Sequence, residues 1–174
     1  EVSTLASAGG DAVAVIGYLD QGGKGIIQGS LDSGAFDTFI LSDGMIGDSL
    51  TEAFGKSLNK SFGSLPGSTG KGAGVFTKVA KAGGIDSSGP YTGESYDAAA
   101  LIVLAMQAGG SADRASIAKN VMAVANGPGK KIYPGELGKA LDLLAKGKAV
   151  DYEGATGVNF TDVGEAQGSF LEKE

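Results

Sequence analysis

Cysteine and histidine are both absent from the 174 residues. A chain with neither thiol nor imidazole cannot assemble a Cys/His zinc site, a thiolate nucleophile, a Ser-His-Asp triad or a structural disulfide. The commonest catalytic machinery is excluded, and no cofactor or metal is expected. Lack of disulfides does not fix the compartment, because an exported protein can fold without them. Basic residues are also few: 14 Lys and Arg stand against 20 Asp and Glu, for a net charge of -6 and a pI near 4.7. Nothing resembling a basic stripe is available to neutralise phosphates, which disfavours nucleic acid and anionic membranes and leaves a small molecule or a protein as partner. Long apolar runs are missing as well. The longest, Ala98 to Met106, falls far short of the roughly 20 residues that span a bilayer, and no charged-then-apolar leader opens the chain.

What is present suits one folded, soluble body: 42% hydrophobic residues, enough for a core at this length. Glycine is abundant, 31 residues against an average usage of about 7%, but without a fixed period, so it marks turns and helix ends and not a fibrous repeat. The chain opens with Val2, Leu5 and Ala6 on one helical face, which reads as entry in mid-helix. A signal peptide and an N-terminal portion are therefore expected outside these residues.

Ala12 to Gly17 is short, apolar on both faces and bounded by turn residues, the pattern of a buried parallel strand. Gly25 to Leu31 carries apolar residues at helical spacing and stops at Ser33-Gly34, after which Phe36 to Leu41 reads as a second strand, completing a βαβ unit. From Asp43 to Gly84 the chain is richer in Gly, Ser and Lys, with a weakly amphipathic start around Leu50, Phe54 and Leu58 and a loop at Leu65 to Gly70. Ser88-Gly89-Pro90 sets a segment boundary, since proline fixes its own φ and turns the preceding residue away from helix. Three helices follow, Tyr96 to Gln107, Ala112 to Ala125 and Gly135 to Lys146, each with a recognisable stop or start. The first is almost wholly apolar and should be buried. Gly157 to Phe160 and Ser169 to Leu171 look like two strands joined by the polar turn Thr161 to Gly168.

Glycines beside lysine invite a phosphate-loop reading, but the spacing fails. Leu65 stands where the first glycine should be and Gly72 where a magnesium-holding hydroxyl should be, and Lys24 fails likewise with Tyr18 and Gly25. Two Ser-x-x-Lys pairs, Ser57 with Lys60 and Ser116 with Lys119, place a hydroxyl and an amine on one helical face, yet no Lys-Thr-Gly partner accompanies them, so surface residues are the preferred reading. Asp162 and Glu165 flank Gly164 as a solvated turn would, with too few oxygens for a calcium loop. Asp43, in Leu41-Ser42-Asp43-Gly44, follows a parallel strand, and Tyr18 holds the equivalent place after the first strand. Open α/β sheets place their ligands beyond such strand ends. An aromatic wall beside a carboxylate suits a small ligand with a cationic ammonium group and an apolar side chain. The alternatives are that Asp43 only forms a turn and that Tyr18 only caps the sheet edge.

The order Ala12-Val-Ala-Val-Ile-Gly-Tyr18, Leu41-Ser-Asp43-Gly44, then Ser88-Gly-Pro-Tyr91 with Tyr96-Asp97-Ala98-Ala99 resembles the C-terminal half of type I periplasmic solute-binding proteins of the Leu/Ile/Val family. Tyr152-Glu-Gly-Ala-Thr-Gly157 leading into Phe160 to Glu165 resembles that family's return crossover and closing hairpin. The resemblance runs through nearly the whole chain and implies an α/β fold, with parts of two three-layer αβα lobes joined by crossover strands. It assigns residues 1–88 to part of the second lobe, 89–150 to the C-terminal part of the first, and 151–174 to the return crossover and hairpin of the second.

The same resemblance implies a binding component and not an enzyme, with an amino acid, branched-chain or related, held in an interlobe cleft and delivered to an ABC-transporter permease from the periplasm. Asp43 would take the ligand ammonium, and Tyr18 and Tyr91 would line the pocket. Two departures matter: the family carries the longer Glu where this chain has Asp43, and the first-lobe groups that take the ligand carboxylate lie outside these residues. The missing N-terminal half is thus an expected partner. The rival readings are a ligand sensor or receptor domain of the same fold and, from another class, a hydrolase using Ser57 and Lys60.

Overall fold

The computed structural model describes residues 1–174. The first stretch runs α1 (Val2–Ala8), β1 (Val13–Val15), α2 (Lys24–Ser33), β2 (Phe39–Leu41), α3 (Asp48–Phe54) and β3 (Phe62–Pro66). The second runs α4 (Lys71–Ala82), α5 (Thr92–Gly109), α6 (Arg114–Ala125), β4 (Lys130–Ile132), α7 (Leu137–Ala145), β5 (Val150–Tyr152), β6 (Asn159–Phe160) and β7 (Ala166–Gln167), and β8 (Phe170–Lys173) closes the chain. The residues form two compact units, Glu1–Pro66 with Phe170–Glu174, and Gly67–Ser169. No helix is long and apolar enough to cross a membrane.

In the first unit β1, β2 and β3 pair in parallel in the order of the chain, with β8 antiparallel on the outer side of β3. Alternation along each strand sends Val13, Val15, Phe39, Leu41 and Leu65 to one face, where all five are buried. Ile27 of α2, Leu50 of α3 and the intervening Met45 complete that core. The opposite face is bare. Ala14, Ile40 and Phe62 lie side by side in register across three strands, Ile40 and Phe62 more than two-fifths exposed, and Ile16 is 87% exposed. The expectation that the first strand is buried on both faces therefore holds for one face only.

In the second unit α5, α6 and α7 gather around the two-stranded parallel pair β4 and β5, with Leu101, Leu104, Val124, Ile132, Ala140, Val150 and Tyr152 in the core. α5 starts earlier than its apolar run suggests, at Thr92, and is only half covered. Leu104 and Ala105 are fully buried while Ile102 is 47% and Val103 38% exposed, which corrects the expectation of a wholly buried helix. A smaller cluster packs Phe76 and Ala80 of α4 against Ala155 and Tyr96. These contacts place α4 in the second compact unit, which begins at Gly67.

Other boundaries moved for the same reason, that pairing partners lie far away in sequence. Leu65 and Pro66, expected in a loop, belong to β3, which the ladders with β2 and β8 hold extended. The expected terminal hairpin is re-paired: β6 joins β7 across the Thr161–Glu165 turn, whereas β8 crosses to β3. The helices at 25–31, 112–125 and 135–146 are present within a few residues of their expected bounds.

Candidate functional site

Two neighbouring parallel strands end together in the first unit, and the backbone beyond them stays tied. Ser42 N–H donates to the Val15 carbonyl, Gly17 N–H donates to the Ser42 hydroxyl at 3.2 Å, and that hydroxyl donates back to the Gly17 carbonyl at 3.4 Å. Tyr18 and Asp43 are the next residues on each side of this clasp. The chain then turns away from the sheet: the Tyr18 carbonyl accepts from Gln21 and Gly23 in a wide turn that leads into α2, and the Asp43 carbonyl accepts from Ile46 in a tight helical turn.

The Tyr18 ring lies over the backbone of Gly44. A Cβ at Gly44 would sit 2.4 Å from the Gly17 carbonyl oxygen and 2.8 Å from the Tyr18 ring, so only glycine permits this approach. Tyr18 remains 62% exposed. Asp43 is half-buried; one carboxylate oxygen accepts from the Gly44 N–H at 2.9 Å, and no lysine or arginine pairs with it. The structure thus brings Tyr18 and Asp43 together at the carboxyl ends of adjacent parallel strands, an aromatic face beside a carboxylate with spare acceptor capacity. Ser42 and Gly44, which organise the pair, escaped the sequence reading. Their signal was the Ser-Asp-Gly run set against Gly-Tyr at the end of the first strand.

Tyr91 belongs to the second unit, immediately before α5. Its backbone is left-handed, φ 62 and ψ 9, the one non-glycine residue in that region of conformational space. Such a conformation costs a side-chain-bearing residue about 1–2 kcal/mol. The loop that imposes it is fastened by the Thr92 hydroxyl, which reaches the Ser87 and Gly89 carbonyls at 3.0 Å. Tyr18 and Asp43 lie in the first compact unit.

The second unit also contains a buried carboxylate that the sequence reading used only as part of a motif. Asp97, one turn into α5 and 2% exposed, accepts from the Tyr152 hydroxyl, the Ala155 and Thr156 N–H groups and the Thr156 hydroxyl, each at 2.8 Å. Gly154 sits so close that a Cβ there would meet the Asp97 carboxylate at 2.3 Å, and its φ of 57 is itself a glycine conformation. Burial, with the Asp97 charge next to it, pushes the Tyr152 phenol well above its usual range. With four donors satisfied inside the protein, Asp97 is a latch between α5 and the segment after β5, not a ligand group. Gly72, which breaks the phosphate-loop pattern, has a packing role: a Cβ there would strike the Gly154 carbonyl oxygen at 2.0 Å.

The remaining candidates resolve simply. Lys60 is held by Asp37, whose carboxyl that contact keeps below the usual carboxylate range, and so does not face Ser57 as a base. Ser116 lies in α6, where its carbonyl accepts from Asn120. Asp162 and Glu165 are exposed on the turn between β6 and β7.

No protein-family profile matches the chain. The chemotactic signal transduction system substrate-binding protein BasB of Halobacterium salinarum is 41% identical over 68 residues, 39% of this chain and 16% of BasB. Among solved structures, the leucine-binding protein LivK of Thermotoga maritima superposes with a TM-score of 0.67 at 19% identity, over 98% of this chain and 43% of LivK. A type 1 periplasmic binding protein from Bordetella pertussis Tohama I superposes with a TM-score of 0.60 at 16% identity, over 98% of this chain and 49% of its own length. The chain therefore spans less than half of the length of each of these three proteins, and it has the mixed α/β fold of type I periplasmic binding proteins.

Proposed function

We propose that this chain is part of an extracytoplasmic solute-binding protein, and that its solute is an amino acid with an apolar side chain. The observation that carries the reading is the Tyr18–Asp43 pair: a half-buried carboxylate with no cationic partner, beside an exposed aromatic ring, at the carboxyl ends of two parallel strands. A carboxylate so placed makes a charge-assisted hydrogen bond to an ammonium, while a tyrosine ring covers aliphatic carbons and loses little conformational entropy. On this reading the chain is a portion of a longer binding protein, Tyr91 remains a separate candidate ligand contact, and the solute passes to an ABC-transporter permease from the periplasm.

The 41% identity over 68 residues to a substrate-binding protein of a chemotactic system favours a second reading of the same residues, in which the occupied form addresses a signalling receptor. Both readings need the same solute chemistry and differ in the protein that meets the closed form. Co-purification with a permease or with a receptor separates them.

The test is a thermal melt of the chain, alone and within the complete binding protein, against the free amino acids. A ligand at a hundred times its dissociation constant adds about 2.7 kcal/mol, enough to raise the midpoint by several degrees. The expected result is a rise for aliphatic amino acids that Asp43→Ala weakens roughly 10- to 100-fold in affinity while the midpoint without ligand stays in place. No rise with any amino acid, or a rise indifferent to Asp43→Ala, overturns the reading.

A further inference from the structure

Four asparagines occur in the chain, and two of them open an Asn-x-Ser/Thr triplet whose middle residue is not proline: Asn59-Lys60-Ser61 and Asn159-Phe160-Thr161. That triplet is the acceptor for N-linked glycans on the surface of exported proteins, because the transferase uses the side-chain amide as nucleophile and reads the hydroxyl two residues on. The fold treats the two triplets differently. Ser61 is 7% exposed and its hydroxyl accepts from the Phe39 N–H at 3.0 Å, so a transferase cannot read it without opening the first unit. Lys60, the middle residue, is held by Asp37.

Asn159 is set the other way. It stands on β6, opposite Gln167 of β7, and neighbouring residues of a strand face opposite sides. Phe160 packs against the core of the second unit, and the Asn126 side chain at the end of α6 clamps its backbone, accepting from the Phe160 N–H at 2.9 Å and donating to the Phe160 carbonyl at 2.8 Å. Asn159 is thereby turned outward and exposed, and its Nδ2 lies 3.4 Å from the Gly157 carbonyl, a weak hold. Two residues on, the half-buried Thr161 hydroxyl accepts from the Glu165 N–H at 3.1 Å, a bond that leaves the hydroxyl hydrogen free to be donated. We propose that Asn159 is a site of N-linked glycosylation, modified on the folded protein, and that Asn59 is passed over. The donor is a glycan carried on a polyprenyl phosphate. Asn159 Nδ2 bonds to the anomeric carbon, the bond from that carbon to the phosphate oxygen breaks, the lipid phosphate leaves with the electron pair, and Nδ2 gives up one proton to the transferase. The proposal rests on the extracytoplasmic reading of the chain, since this transfer takes place on the outer side of a membrane.

The test is made on the complete protein purified from the cells that produce it, whose peptides carrying Asn59 and Asn159 are sequenced by mass spectrometry. The expected result is a glycan mass on the Asn159 peptide and none on the Asn59 peptide. Asn159→Gln, a change at an exposed side chain that should leave the circular dichroism spectrum unaltered, loses the added mass. Thr161→Ala loses it as well, whereas Thr161→Ser, which keeps the hydroxyl, retains it. A bare Asn159 overturns the proposal, and so does a glycan on Asn59, because the buried Ser61 would then have been read before folding. Fractionation of the same cells separates the two ways of failing. A bare Asn159 on protein found outside the cytoplasm sinks the modification alone, and a bare Asn159 on protein retained in the cytoplasm sinks the extracytoplasmic reading with it.

Discussion

Asp97 concentrates more buried polar contact than any other side chain of the protein, and its removal should be felt accordingly. Asp97→Ala leaves the Tyr152 hydroxyl and the Ala155 N–H without partners in a buried setting, and the loss should reach about 3–5 kcal/mol, read from urea unfolding. Tyr152 adds a pH dependence of definite sign. Its folded value lies above the ordinary value of 10.0, because burial and the neighbouring carboxylate both disfavour the phenolate. Below that ordinary value both states keep the proton and the contribution to stability is complete. Above it the unfolded tyrosine ionises first, so stability falls as pH rises toward the folded value, by up to about 1.4 kcal/mol per pH unit for this one proton. Urea unfolding from about pH 9 to about pH 11 should show a shallower alkaline decline in Tyr152→Phe than in the parent chain. An equal decline in both would assign the effect to other groups.

At the level of elements, the candidate site depends on two strand ends kept in step after their ladder stops. Ser42 provides the clasp and Gly44 the clearance under Tyr18. Gly44→Ala puts a methyl against the Gly17 carbonyl, a backbone atom that cannot swing aside, and should cost about 1–3 kcal/mol and shift the Tyr18 ring. Tyrosine fluorescence and the urea midpoint would register both effects, and a variant matching the parent would show that the ring does not rest on this glycine. Helices were the more legible elements, since their apolar spacing and their stops are local; α2, α6 and α7 could be read within a few residues. The short strands of the second unit were not. β4 and β5 have three residues each, two of the six being lysines, and nothing local marks Lys130–Ile132 as the partner of Val150–Tyr152. α4 was overlooked although Phe76 and Ala80 stand one turn apart, because the surrounding glycines and lysines weaken the apolar stripe.

For the molecule as a whole, both compact units keep apolar surface in the open: the Ala14, Ile40 and Phe62 row in the first, and Ile102 with Val103 of α5 in the second. A two-stranded parallel pair such as β4 with β5 is also smaller than the sheets that stand alone in water. These features agree with the short span that the chain covers in proteins of the same fold. The solute melt probes the molecule at this scale.

By itself the sequence determined the absence of thiol and imidazole, the surplus of acidic over basic residues, the βαβ opening, and the place of Tyr18 and Asp43 just beyond the ends of its two strands, because composition is global and the ends of successive parallel strands follow from local pattern and the handedness of crossovers. Only the tertiary structure decided that Leu65 and Pro66 extend a strand, that β8 crosses to β3, that the units divide at Pro66–Gly67, and that one sheet face stays bare. Each of those outcomes is set by contacts between residues distant in sequence, whose energy no local window of residues contains.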